Sequence, residues 1–351
     1  MVGIALLTLV PGELGGSETY VHGLLRGLAR VGTQDYKVLL PPAAPTASEG
    51  LPAEIATEYR LARTILQRLV AMGSAAARPG PLRARLADAA VVHYPLTIRL
   101  PSVEQPSVVT LHDLQHLDLP QMFPGSERRF RSVAWHRSAQ GAQRVIVISE
   151  FVRGRAVDQL GLDPARVRVV PLGLDHDELR PPEPGAERGP FLLYPARRWP
   201  HKNHERLFEA FALLRRQRPE VRLVLTGGGD FVDVPEGVEA RGHVPRAEVV
   251  DLMQRASALV FPSLYEGFGL PPLEAMACGC AVASSNAAAL PETVGDAARL
   301  FDPHDAAAIA DAVREVLDDP APWVERGLHR AAGYSWDETA RQTDTVYAEL
   351  A

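Results

Sequence analysis

Cysteine is nearly absent from this 351-residue chain: Cys278 and Cys280 are the only two, and they sit two residues apart in an apolar segment. That excludes a disulfide framework and suits buried thiols in a reducing cytoplasm. Long apolar runs are missing as well. None approaches the ~20 residues that span a bilayer. The opening stretch, MVGIALLTLVPGELGG, has neither a basic leader nor a small-residue cleavage site, so it reads as a first strand from Val2 to Leu9. No grouping of His, Cys and carboxylates has metal-ligand spacing, and no internal repeat is visible. What is present is the balance of a globular protein, 46% hydrophobic and 23% charged, with length for two domains.

The net charge of −6 is unevenly spread. Residues 1–175 hold 19 basic against 15 acidic side chains, and the remainder 18 against 28. Six arginines and no acid run from Arg60 to Arg85 (with Arg63, Arg68, Arg78 and Arg83 between), and seven more lie between Arg128 and Arg155 against the single acid Glu150. Such runs are solvated helix faces or surfaces for anionic lipid or phosphate. Leu61, Ile65, Leu66 and Leu69 form an apolar helical face beside the first run, suited to packing on a sheet or to insertion.

The stretch from Leu259 to Glu292 organises the chemistry. Ala258–Phe261 is an apolar run of the kind a buried parallel strand needs. Pro262 ends it, and Glu266-Gly267-Phe268-Gly269 must bend sharply. Pro271 and Pro272 mark a helix start, Leu273–Ala277 the helix, and Cys280–Ser284 the next strand. A glycine-containing loop feeding a helix directs N–H groups and a positive dipole end at one spot. Glu266 in the loop and Glu274 eight residues later would repel a bare phosphate there, so hydroxyls are their natural partners. A ligand with hydroxyls at both ends and phosphate between is a nucleotide sugar. Taken alone, the two acids read first as a turn residue, Glu266, and a solvated helix residue, Glu274.

With its flanks, EGFGLPPLEAMACGCAV and the later Pro291-Glu292, this stretch resembles the E-x7-E signature of glycosyltransferase family 4, retaining enzymes of the GT-B fold. Further matches extend the resemblance over nearly the whole chain. They are strongest from Arg197 to Glu292 and weakest from Pro41 to Ala90. THDLQHLDLP, with His112 at the end of the Val108–Leu111 strand, is similar to a segment of a mannosyltransferase-like branch. Arg197 and Lys202, five apart after the Phe191–Ala196 strand, match the family's basic pair for the diphosphate and leave Arg198 as a solvated neighbour. Gly242-His243-Val244-Pro245 resembles the loop that holds the base, through the main chain of Val244. Gly15-Gly16 resembles the loop that meets the donor diphosphate.

The resemblance implies two doubly wound α/β domains facing each other across a cleft. Residues 1–175 would be the acceptor side, 176–334 the donor side, and 335–351 a helix crossing back, with Ser335 as its cap and Glu338 completing a capping box. Composition alone would put the boundary in the proline-rich stretch Pro181–Gly185. The implied reaction moves a sugar, with a lean to mannose from GDP-mannose, onto a hydroxyl of a glycan, glycolipid or polysaccharide precursor with retention. Catalytic groups would be His112, Glu266, Arg197 and Lys202. Gly16, Val244, Phe268, Gly269, Leu270 and Glu274 would bind the donor. His112 would orient a sugar hydroxyl or carry a proton, since imidazole titrates near neutrality. No metal or other cofactor and no nucleic-acid partner is expected. The implied location is cytoplasmic, with peripheral attachment to the inner face of the cell membrane left open. A nucleotide-sugar 2-epimerase of similar fold and a non-catalytic nucleotide-sugar-binding protein are the alternatives.

Overall fold

Short apolar runs separated by helices form two parallel sheets in the computed structural model, which describes residues 1–61, 65–183, 185–229, 231 and 233–351, with the side chains of Ile65, Leu66 and Arg68 outside the description. Arg63 lies outside the described residues altogether. In chain order the first seven strands are β1 (Val2–Ala5), β2 (Tyr36–Leu40), β3 (Ala53–Ile55), β4 (Val91–Tyr94), β5 (Ser107–Leu111), β6 (Arg144–Val147) and β7 (Val167–Val169). They pair in the order β3-β2-β1-β4-β5-β6-β7. The second sheet uses β8 (Gly189–Pro195), β9 (Arg222–Thr226), β10 (Val238–Ala240), β11 (Ala256–Phe261), β12 (Ala281–Ser285) and β13 (Arg299–Phe301), in the order β10-β9-β8-β11-β12-β13. Both orders reverse once, between β1 and β4 and between β8 and β11. Open α/β sheets bind ligands beyond the carboxyl ends of the strands at such a reversal.

The chain divides into two compact units, Met1–Gly173 with Ser335–Ala351, and Leu174–Tyr334. In the first, the Trp336–Ala348 helix packs on the Gly16–Val31 helix. Gly23 and Gly27, four apart on one face, make this approach possible, because a Cβ on Gly23 would come within 2.2 Å of the Trp336 ring and one on Gly27 within 2.5 Å of the Trp336 carbonyl. Polar stitches finish the contact: Asp344 accepts from the Thr33 amide at 2.9 Å and from the Tyr36 hydroxyl. Tyr347 Oη lies 2.7 Å from His93 Nδ1.

Several details differ from the sequence reading. β1 ends at Ala5, and Leu6, Leu7 and Leu9 are buried in the turn that follows, so their apolarity reports packing rather than strand. β3, β10 and β13 are unanticipated edge strands of three residues each, too short to show a period of two. The division falls at Gly173/Leu174 and not in the proline-rich stretch, because Leu174 and Leu179 are buried beyond it and belong to the second unit. Ser335 caps its helix, accepting from the Glu338 amide at 3.2 Å. The Glu338 carboxylate instead turns along the helix to Arg341 and Gln342, so only half of the expected capping box forms.

Candidate active site

Each loop of the second unit that carries a candidate residue leaves the carboxyl end of a strand. Arg197 and Lys202 follow β8, and Glu266 follows β11, the two neighbours on either side of the reversal. Lys202 Nζ lies 2.5 Å from Glu266 Oε1, with only 13% and 15% of the two side chains exposed. The loops are fixed to each other by hydrogen bonds to the main chain: the Leu264 amide donates to the His201 carbonyl at 2.8 Å, and the Asn203 side chain donates through Nδ2 to the Pro262 carbonyl at 3.0 Å. The Tyr194 hydroxyl, from inside β8, donates to the Lys202 carbonyl at 2.6 Å. Lys202 is one of only two lysines in the chain, a scarcity that itself singles it out. Arg197 lies over the Trp199 ring, 5.6 Å to its centroid, and that indole is 45% exposed. Arg198, expected to be merely solvated, is tied to Glu205 at 2.9 Å and lies over Phe231.

The helix after Glu266 runs from Leu270 to Ala277 with Gly269 as its cap at φ +116°. A left-handed backbone there favours glycine, and a Cβ would also come within 2.7 Å of the Leu290 side chain. Pro271 and Pro272 lack N–H groups, so of the first three helical residues only Leu270 has an amide to offer, with that of Gly269 before it. Phe268 is buried, its carbonyl accepting from Thr293 Oγ1 at 2.7 Å and its ring edge-on to Tyr334. Val244, half-buried, lies between β10 and the Arg246–Arg255 helix. β9 and the Val244 loop are joined by the Gly227 amide, which donates to the Gly242 carbonyl at 2.8 Å.

Glu274 is the one acid of the second unit that is buried among the described residues, at 7% exposure. Its Oε1 lies 2.8 Å from Arg246 Nη2. Arg246 Nε in turn donates to Glu178 Oε2 at 3.0 Å. Burial alone would lower the Arg246 pKa, but Glu274 and Glu178 carry it above the usual arginine range. Arg246 was not identified from the sequence, although it directly follows the Gly242–Pro245 loop.

In the first unit, His112 leaves the end of β5 and is buried. Its Nε2 is 2.8 Å from the Pro95 carbonyl, and because a carbonyl only accepts, Nε2 carries the proton. Burial pushes the imidazole pKa down to about 4, against a smaller upward effect of the Pro95 bond. His112 is therefore neutral near pH 7, which revises the expectation of a proton carrier titrating near neutrality and leaves orientation by a neutral ring. Tyr20, four residues into the helix from Gly16, meets the His112 ring edge-on at 5.0 Å. The Tyr20 hydroxyl is 3.0 Å from Thr110 Oγ1, itself 2.8 Å from His93 Nε2. Gly16 has open space where a Cβ would lie, so no neighbouring atom accounts for a glycine there.

In each unit the candidate residues gather on loops at strand ends, and comparison with known proteins assigns the chain to a sugar-transferring class. Residues 14–178 match the family model of glycosyltransferase family 4, and residues 175–332 that of glycosyl transferases group 1. O-antigen chain mannosyltransferase B of Escherichia coli is 32% identical over 278 residues, 72% of each chain. Sucrose-phosphate synthase from Thermosynechococcus elongatus superposes with a TM-score of 0.78 at 21% identity, over 99% of this chain and 98% of that one. Anabaena HepE, solved with UDP and glucose, gives 0.73 at 17% identity over 99% of both chains. The fold is GT-B, and the chain belongs to glycosyltransferase family 4, where it is mannosyltransferase-like.

Proposed function

We propose that this glycosyltransferase moves a hexose, mannose first among the candidates, from a nucleoside-diphosphate sugar to a hydroxyl of a glycan, glycolipid or polysaccharide precursor, with retention and without a metal ion. The observation that carries this reading is the Lys202–Glu266 pair at the reversal of the second sheet. Without donor the two charges neutralise each other, which offsets the cost of burying both. A donor separates them: the diphosphate takes the ammonium, and sugar hydroxyls take the carboxylate. Arg197, Gly16 and the amides of Gly269 and Leu270 join Lys202 on the leaving diphosphate. Removing one such donor typically raises a barrier by about 3–4 kcal/mol. Glu274 receives the ribose, Val244 and Phe268 border the nucleotide, and neutral His112 orients a sugar hydroxyl. No side chain is assigned as a nucleophile, so the anomeric bond to the diphosphate breaks as the acceptor oxygen bonds on the same face and passes its proton to the departing phosphate oxygen.

The mannosyltransferase relative supports the lean to mannose. Incubating GDP-mannose and UDP-sugars with and without oligosaccharide and lipid-linked acceptors tests the reading. The expected result is sugar transfer only with acceptor, giving the donor's anomeric configuration by NMR. Sugar conversion without acceptor would instead identify an epimerase, and binding without turnover a non-catalytic protein. The proposal includes a cytoplasmic site of action and contact of the first unit with an anionic membrane. No helix of the described residues is long and apolar enough to cross one.

A further inference from the structure

Two carboxylates are buried among the described residues, and they are satisfied very differently. Asp344 accepts from three neutral donors, the Thr33 amide, the Thr33 hydroxyl and the Tyr36 hydroxyl. It is saturated, as a structural acid is. Glu274 has one partner, Arg246, at Oε1, and no described residue hydrogen-bonds its Oε2. Oε2 is not sealed in the interior, so it is an acceptor open to a ligand hydroxyl.

The geometry of Arg246 is also particular. Its Nε edge is taken by Glu178 at 3.0 Å, which fixes the rotation of the planar guanidinium and turns Nη2 to Glu274. Glu178 itself comes from the segment that begins the second unit, 96 residues before Glu274 in the chain. The arginine side chain is 41% exposed while that of Glu274 is 9% exposed, so the cation stands on the solvent side of the acid. Arginine suits this task better than lysine, because its planar fork reaches two carboxylates with separate, directed N–H groups.

We infer that Arg246, oriented by Glu178, is a positioning residue that sets nucleotide selectivity: it holds Glu274 by Oε1 and leaves Oε2 aimed to accept a hydroxyl of the donor ribose. This rests on the reading of Glu274 as the ribose acid. With a cation at Oε1 the carboxylate is held in one orientation, and one oxygen is kept available. Without it the acid is a buried side chain with no partner to hold it, and it swings toward water, which removes the ribose acceptor. Arg246 thereby discriminates ribonucleotides from deoxyribonucleotides without touching the sugar.

The test is a matrix of dissociation constants by calorimetry for GDP, its 2′-deoxy and 3′-deoxy forms and the 2′,3′-dideoxy form, with the UDP series in parallel. The proteins are wild type, Arg246→Met, Arg246→Lys, Glu178→Gln and Glu274→Gln. Wild type is expected to prefer the ribonucleotide at least tenfold over one deoxy form. Arg246→Met should bring that preference below threefold while binding the dideoxy nucleotide as wild type does. Arg246→Lys should restore part of it, and Glu178→Gln should fall between. Full ribose preference in Arg246→Met, or equal weakening of all four nucleotides, overturns the inference. Should Arg246→Met fail to fold, Glu178→Gln and Arg246→Lys decide it, since unchanged preference in both has the same meaning. Glu274→Gln separates the two levels: if it keeps the ribose preference, the ribose reading itself is wrong, whatever Arg246 does.

Discussion

The candidate residues of the two units differ in how they hold charge. In the second unit the half-buried Lys202 and Glu266 are two halves of one ion pair, and the buried Glu274 is paired with Arg246. In the first, the buried histidines are neutral and bonded to neutral partners, as His112 is to the Pro95 carbonyl and His93 to Thr110 and Tyr347. The contrast fits the chemistry proposed for each. A diphosphate is a charged ligand, and paired charges can exchange partners when it arrives. A sugar hydroxyl is neutral, and a neutral imidazole of fixed tautomer can orient it without adding charge.

The strongest way to break this comparison is to remove one side of a pair. Lys202→Ala should lower kcat by about 10²–10³-fold, the usual effect of deleting one preorganised donor. It should also weaken free nucleoside diphosphate binding, and it leaves the half-buried Glu266 unpaired, so the variant should melt earlier as well. Steady-state kinetics, calorimetry and thermal unfolding check the three parts. Normal turnover with unchanged diphosphate affinity would remove Lys202 from the site.

A sharper and smaller test splits the two acids. Glu266→Gln should depress kcat by about tenfold or more while leaving nucleoside diphosphate affinity nearly intact, because a charge-assisted bond to sugar is worth about 1.5–3 kcal/mol. Glu274→Gln should weaken the nucleotide itself by a similar factor. If both variants lost only nucleotide affinity, the proposed direction of the donor along the site would be reversed or wrong.

Acid should separate the units next. Burial lowers His93 to about 3 and His112 and His116 to about 4, all in the first unit, whereas the second has only His204, also lowered to about 4. A histidine depressed in the folded state is protonated first in the unfolded chain. Its contribution is therefore complete above the unfolded pKa of ~6.5 and is lost as pH falls toward the folded value. At pH 5 the loss is on the order of 2 kcal/mol per imidazole. Hydrogen exchange followed by mass spectrometry at pH 7 and pH 5 should show the first unit losing protection before the second. Equal loss, or earlier loss in the second unit, would mean that these imidazoles do not govern acid stability.

What could be read from the chain and what could not divide along a physical line. Runs of four buried residues, such as Val91–Tyr94 and Leu223–Thr226, show their strands because burial selects apolar side chains at most positions. Lys202 and Glu266 are legible because their spacings to Arg197 and to Glu274 match the family's pattern. Their direct pairing is not, since 64 residues separate them and nothing local encodes the return of the chain. Arg246 escaped for the same reason: its acids lie 68 residues before it and 28 after. The arginine run of the first unit shows the opposite error. Arg85 looks unopposed in sequence, but Glu54 and Glu58 reach it from 31 and 27 residues upstream.

That neutralisation redirects the smallest-effect prediction, membrane contact by the first unit. Arg85 is spent on two acids, and Arg83 donates to the Ser102 carbonyl at 2.6 Å, which weakens the case for the Arg60–Arg85 run as the anionic-lipid face. Leu61 and Leu69 are exposed there, at 48% and 44%, which favours the insertion side of the earlier alternative over packing. The Gly125–Gly141 helix offers the better cationic surface. Arg129, Val133 and Arg137 recur every four residues on one exposed face, with Phe130 beside them. Arg131, by contrast, is held by Glu127 and lies over Phe123 and Trp135. Each basic side chain near an anionic leaflet is worth about 1 kcal/mol, or roughly fivefold in partitioning. Changing Arg128, Arg129 and Arg137 together to Gln should therefore cut sedimentation with phosphatidylserine vesicles far more than changing Arg83 and Arg85. The attraction should also fade as salt shortens the ~10 Å screening length of 0.1 M solution. Binding that ignored salt and survived the triple change would leave this helix an ordinary solvated surface, and the charge asymmetry of the two units would have no membrane to answer to.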